Sequence, residues 1–282
     1  MKQSIVILSL LCVLFVGCKK ENGGNTEKED LSYLLTTYTC EELNGHRTET
    51  RTTYDGYKEM SYKEYYDGQL TFERKNYSYD GLKASWDSYQ YQNGDVNDIR
   101  VHCHYECEFL DNTYQREKYM KSEYYREDLQ YEYTIYWEYD GKKIVSYRRF
   151  KDGVLEFDNK DFNYDGLFCT YKMTYYSSEG VPVYESSASI DYLDDTYLRK
   201  KSNTYTKVTF DLDGTPATTT VINTINEYDG KKLVESREYR NGMISSTTRD
   251  YQYNGLTCRY YYDGYSYGEL NSTRTCEVQY LE

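Results

Sequence analysis

Tyr139-Asp140-Gly141-Lys142-Lys143-Ile144-Val145-Ser146-Tyr147-Arg148-Arg149-Phe150-Lys151-Asp152-Gly153 sets two Asp-Gly pairs 12 residues apart, and Asp165-Gly166 follows after 13 more. The same spacing returns without gaps from Tyr54-Asp55-Gly56 through Asp67-Gly68 to Asp80-Gly81, and from Tyr228-Asp229-Gly230 through Asn241-Gly242 to Asn254-Gly255. Asp-Gly or Asn-Gly between alternating runs marks a tight hairpin, because a type I′ turn needs positive φ at both central residues. Ten or eleven residues lie between corners. Each such stretch is one strand of about 33 Å at roughly 3.3 Å per residue. Phe109-Leu110-Asp111, Tyr192-Leu193-Asp194 and Tyr280-Leu281-Glu282 close the three segments, so the chain reads as three copies of a unit of about 85 residues, at 33–110, 111–193 and 194–282.

The fold expected is all-β, an antiparallel meander of roughly eighteen strands at about 12 to 14 residues per strand and turn. Open twisted sheets rarely exceed about ten strands without curling, so this one rolls into a trough or a closed barrel. Leu82, Ala84 and Trp86 correspond to Leu167, Cys169 and Tyr171 and to Leu256, Cys258 and Tyr260, at alternate positions. That parity puts them on one buried face. Between Leu70/Phe72 and Tyr77/Tyr79 the apolar parity switches, as it does in the other copies, which predicts a β-bulge within that strand. Lys231, Glu235 and Arg237 fall on one face of a later strand while Lys232, Glu238 and Arg240 fall on the other. A charge at a lipid-facing midplane costs about 2 to 4 kcal/mol, so the sheet is expected not to span a membrane.

Composition narrows the class. The chain has 282 residues, of which 39 are Tyr and only 2 Pro, and a net charge of −13. With a mean hydropathy of −0.93 this excludes collagen, coiled coil and a polytopic helical membrane protein. The acid excess speaks against nucleic acid as a ligand, since phosphate recognition needs Lys and Arg. Met1 and Lys2 precede an apolar run from Ile5 to Val16 that is too short to cross a bilayer, then Gly17 and Cys18, the plan of an export signal. Residues 1–17 are expected to be a signal peptide and 18–32 a flexible tether.

Leu14-Phe15-Val16-Gly17-Cys18 resembles a bacterial lipobox, which implies cleavage before Cys18 and a lipid on its sulfur. Lys19 in place of Asp implies by the same resemblance an outer-membrane lipoprotein, on its periplasmic or cell-surface side. The Tyr-Asp-Gly corners resemble YD (RHS-type) repeats, and Tyr65-Tyr66-Asp67-Gly68-Gln69-Leu70 and its counterparts resemble variant MORN repeats. The chain is also similar to lipoproteins of gut-type Gram-negative bacteria described as porin-like in shape. These resemblances imply a hairpin-repeat envelope protein and supply no catalytic residue or cofactor.

Six cysteines follow Cys18. Cys169 and Cys258 take the site of Ala84 and read as small core residues. Cys103 and Cys107 lie too far apart along one extended strand to bond to each other, at about 13 Å against a limit near 7 Å, while either can pair with Cys40 or Cys276. His102, His104 and Glu106 alternate along a strand and project together, a weak Zn or Cu candidate that His46 could complete. The acidic stretch at 211–214 and Asp194-Asp195 read as turn chemistry rather than a Ca²⁺ loop. No nucleophile elbow, P-loop, dinucleotide fingerprint or His-Glu-x-x-His motif occurs. What remains is Tyr, with Tyr131, Tyr133, Trp137, Tyr175 and Tyr176 the candidate ligand-binding rings, since rigid amphipathic rings make good platforms. The expected function is that of a non-enzymatic, lipid-anchored envelope protein binding a neutral or cationic ligand such as a glycan or a protein. The alternatives are a metal-dependent hydrolase built on His102, His104 and Glu106, and a purely structural scaffold.

Overall fold

The computed structural model describes residues 35–42, 45–92, 94–126, 129–210, 216–230 and 232–280. The signal peptide, Cys18, the tether, residues 211–214 and Lys231 lie outside the described residues. Strands β1 (Leu35–Glu42), β2 (Arg47–Asp55), β3 (Lys58–Tyr66), β4 (Gln69–Asp80), β5 (Lys83–Gln92) and β6 (Asp95–Phe109) come first. Next are β7 (Glu117–Arg126), β8 (Leu129–Asp140), β9 (Lys143–Lys151), β10 (Val154–Asp165), β11 (Phe168–Tyr176) and β12 (Pro182–Tyr192). The last six are β13 (Lys200–Phe210), β14 (Pro216–Asp229), β15 (Lys232–Arg240), β16 (Met243–Asn254), β17 (Thr257–Ser266) and β18 (Glu269–Tyr280).

The glycine corners reverse the chain where the sequence places them, with two geometries. At Asp67-Gly68, Asp152-Gly153 and Asn241-Gly242 both residues have positive φ, between 49° and 80°, as a type I′ turn requires. Elsewhere the loop is shifted by one residue. Asp55 pairs with Lys58, so the turn is Gly56-Tyr57, and only Gly56 has positive φ, at 57°, the pattern of a turn with glycine first.

The bulge anticipated in β4 is present. Lys75 faces Asp87 and Ser78 faces Ser85, leaving one extra residue on β4, and Asn76 has φ 60°. The same shift recurs at Asp161 and Asp250. It restores Tyr77 and Tyr79 to the face of Phe72, against the ring of Trp86. A further irregularity beside the corner puts Leu70 opposite Tyr65 and Phe72 opposite Glu64, so Leu70 and Phe72 lie on opposite faces despite their alternate numbering.

The ring of strands closes. β1 pairs with β2 on one side and antiparallel with β18 on the other, Cys40 lying opposite Thr48 and Cys276. The open trough is therefore corrected to a closed eighteen-stranded antiparallel barrel, in which every strand has two neighbours. The expectation that the sheet does not span a membrane falls with it. A closed barrel leaves no backbone edge, which is the condition for spanning by strands. Four of the six charges counted against it are paired, Arg237 with Glu235 as well as Glu227, and Arg240 with Glu238, while Lys232 lies over the ring of Tyr253.

Alternate side chains of a closed barrel crowd on its concave side and spread on its convex side. The crowded face carries the apolar clusters: Ala84, Cys107 and Phe109; Cys169, Ile190 and Tyr192; Cys258, Tyr260, Val278 and Tyr280. Each is built at the corresponding place in its third of the barrel and roofed by rings at 77/79, 162/164 and 251/253. Tyr79, Tyr164 and Tyr253 each donate a hydroxyl hydrogen bond to a carbonyl of the preceding strand, those of Glu59, Ile144 and Leu233, at 2.8, 2.9 and 2.8 Å.

Cysteine usage divides in two. Cys40 and Cys276 form a disulfide across the β1–β18 seam, 236 residues apart in sequence. A loop of that length is worth about 5 kcal/mol in the chain-entropy account. Cys103 and Cys107, expected to be possible partners for them, are free and buried. Burial pushes the thiols of Cys103 and Cys258 up to about 11, so neither is a thiolate at neutral pH.

Candidate functional site

Two seven-residue loops shape one end of the barrel. Residues 110–116 join β6 to β7, and 193–199 join β12 to β13. In each, an aspartate folds the loop on itself: Asp111 accepts from the Thr113 amide at 3.0 Å and from Arg116 Nη1 at 3.0 Å, and Asp194 accepts from the Thr196 amide at 3.1 Å and from Arg199 Nε at 2.9 Å. Tyr114 and Tyr197 take positive φ to make the bend, at 53° and 55°. The tips pack inward, Tyr114 edge-on to Tyr79 and Phe109, Tyr197 edge-on to Tyr164 and Tyr192. The loops meet where Arg116 Nη2 donates to the Thr196 carbonyl at 2.9 Å.

Beneath that meeting lies a cleft of about 130 Å³, lined among others by Arg116, Glu117, Trp137, Tyr139, Lys142 and Tyr197. Strand β8 supplies its aromatic wall, because Trp137 and Tyr139 share the concave face. The Tyr139 hydroxyl donates to the Glu117 carbonyl at 2.9 Å, fixing the ring at the cleft's edge. Burial raises the carboxyl of Glu117 above the ordinary range, and raises the phenol of Tyr139, with the Glu117 charge adding to the latter. Trp137 opens onto a run of rings: Tyr147 at 5.5 Å, then Phe157 at 5.6 Å, then Tyr175 at 4.6 Å between centroids.

Of the five aromatic candidates, four therefore share the concave face. Tyr131 and Tyr133 precede Trp137 on β8 and stack and cross with Tyr124, and Tyr175 ends the run. Tyr176 does not join them, since neighbours along a strand face opposite ways; its hydroxyl donates to Asp158 at 3.0 Å on the convex side.

His102 and His104 are convex. Their Nε2 and Nδ1 lie 3.6 and 2.8 Å from one oxygen of Asp87, on β5, and the His102 ring is stacked between Tyr89 and Tyr125. Burial acts to raise the Asp87 carboxyl, and bonds from Asn76 and His104 outweigh it, holding it below the ordinary range. Glu106 faces Ser85 and Lys121 instead, and His46 bonds Asp67 at 2.7 Å, so His46 adds nothing to the pair. Among the described residues no group of three His, Cys, Asp or Glu is placed to hold a metal ion.

Arg116, Glu117, Tyr139, Lys142 and Tyr197 were not legible as site residues. One signal for them stands in the sequence: Leu110-Asp111-Asn112-Thr113-Tyr114-Gln115-Arg116 and Leu193-Asp194-Asp195-Thr196-Tyr197-Leu198-Arg199 share Leu, Asp, Thr, Tyr and Arg at equal spacing.

No family model matches the chain, and no curated protein matches it. The likeness to YD and MORN repeats rests on the corner motifs alone. Among solved structures the chain is similar to one titled a porin-like protein from Bacteroides uniformis, at 9% identity and a TM-score of 0.42, over 88% of this chain and 96% of that one. At that score the likeness carries no argument about role.

Proposed function

We propose that the protein is a cell-envelope β-barrel, tethered to the outer membrane through a lipid on Cys18, that binds a glycan without transforming it. The observation that supports a glycan is the Trp137 cleft, which joins an aromatic platform to charged hydrogen-bonding groups and continues into the rings of Tyr147, Phe157 and Tyr175. Sugar rings present apolar C–H faces edged with hydroxyls, and a platform flanked by polar groups matches both features. Two loops closing over the cleft through Arg116 suit it to the end of a sugar chain. The track of rings beyond suits the units that follow.

The test is a glycan array probed with the barrel from residue 19 onward, repeated with Trp137→Asn. Retention of one class of oligosaccharide by the parent chain and its loss in the variant is the expected result. Equal retention by both removes the cleft from the reading. Labelling of the full-length chain with a clickable fatty acid, abolished by Cys18→Ser, is expected for the tether.

A further inference from the structure

We propose that the sugar seated in the Trp137 cleft is an acidic one, a hexuronate or similar carboxylate-bearing residue, gripped by Lys142 and Arg116. The inference rests on the glycan reading above and names its ligand class.

The chain as a whole is acidic, with 47 Asp and Glu against 34 Lys and Arg. The cleft departs from that balance. Its charged lining side chains are Arg116, Lys142 and Glu117, two cations to one carboxyl. A third cation, Lys143, lies 5.4 Å over the ring of Tyr197, which itself lines the cleft. Lys142 is exposed and has no carboxylate partner among the described residues. Arg116 is only 8% exposed and is held in place by Asp111 and the Thr196 carbonyl. Those two bonds use two of the five N–H donors of a guanidinium, and its fixed planar fork suits a carboxylate.

Glu117 opposes an anion, and burial of its carboxyl, which disfavours the charged form, weakens that opposition. Long-range repulsion from the rest of the molecule fades over about 8 Å at physiological salt, so the local balance decides the sign: Asp111 offsets Arg116, and Lys142 and Lys143 stand against Glu117. Trp137 does not discriminate, because the C–H face of a neutral sugar and that of its acid are alike. The discrimination lies in the cations.

The comparison that tests this uses one oligouronide and the same oligosaccharide with its carboxylates reduced to primary alcohols, titrated calorimetrically into the barrel. The acidic form is expected to bind about tenfold more tightly or better, with Lys142→Gln lowering its affinity several-fold more than that of the reduced form. Equal or tighter binding of the reduced form, or an equal effect of Lys142→Gln on both, overturns the acidic assignment while the glycan reading stands. If neither form of any oligosaccharide that the array retains is affected by Trp137→Asn, the glycan reading itself fails and takes this proposal with it.

Discussion

The hairpins β8–β9 and β14–β15 share a clasp and differ in what stands beside it. In both, a tyrosine hydroxyl donates to a carbonyl of the preceding strand, Tyr139 to Glu117 at 2.9 Å and Tyr228 to Lys200 at 3.1 Å. Two residues earlier the first hairpin has Trp137, part of the cleft wall, and the second has Asn226, whose amide donates to that same Lys200 carbonyl at 2.8 Å. Five residues after the clasp tyrosine, Ile144 is half-buried and lines the cleft, whereas Leu233 is fully buried. Residues kept in step around the barrel hold the wall together. The cleft lies where the step is broken.

The largest expected difference is in packing. Leu233→Ala should cost about 2 to 5 kcal/mol, while Ile144→Ala should cost less than half of that because part of its side chain already meets solvent. Urea unfolding followed by far-ultraviolet circular dichroism measures both, and equal losses would mean that the two hairpins are packed alike. Next comes the platform. Trp137→Asn gives the first hairpin the residue of the second and should weaken glycan binding about tenfold or more, or roughly 1.4 kcal/mol, with the barrel still folded. Calorimetric titration of an array-selected glycan decides it.

The clasps themselves should be equivalent. Tyr139→Phe and Tyr228→Phe each remove one hydrogen bond and are expected to lower stability by about 1 kcal/mol. A loss confined to one of them breaks the comparison. The smallest effect concerns the loops. Burial acts to raise the carboxyls of Asp111 and Asp194, and bonds from Thr113 and Arg116, and from Thr196 and Arg199, outweigh it and hold both below the ordinary range. A folded-state value below the unfolded one, about 3.9, gives a stabilisation that is complete above the unfolded value and lost as pH falls through the folded one. Amide exchange at Leu110 and Leu193, which donate to the carbonyls of Arg116 and Arg199, should therefore accelerate beyond the intrinsic rate as pH drops from about 5 to 2.

Much of the wall was legible because its determinants are local. Asp-Gly and Asn-Gly fix corners within four residues, and the parity switch around Asn76 fixes a bulge within one strand. Closure was not legible, because it rests on β1 meeting β18, and nothing in Leu35–Glu42 distinguishes a seam strand from an edge strand. The Cys40–Cys276 bond was hidden for the same reason, its partners being brought together only by the full circuit. The site was half legible. Trp137 could be singled out by its chemistry, whereas Glu117, Lys142 and Tyr197 acquire a role only when loops from different thirds of the chain meet. Tyr176 shows the limit from the other side: adjacent to Tyr175 in sequence, it is separated from it by the thickness of the wall.

The bond between Cys40 and Cys276 also alters what a cut can do to this molecule. A chain tied near both ends has no loose half: a single protease nick at any corner between the two cysteines produces a new pair of termini yet leaves every strand covalently attached. Such a nicked species keeps its mass on a non-reducing gel and comes apart only once a thiol is added. The barrel is in this sense already a circle, and any of its exposed corners is a place where the gene could be made to start.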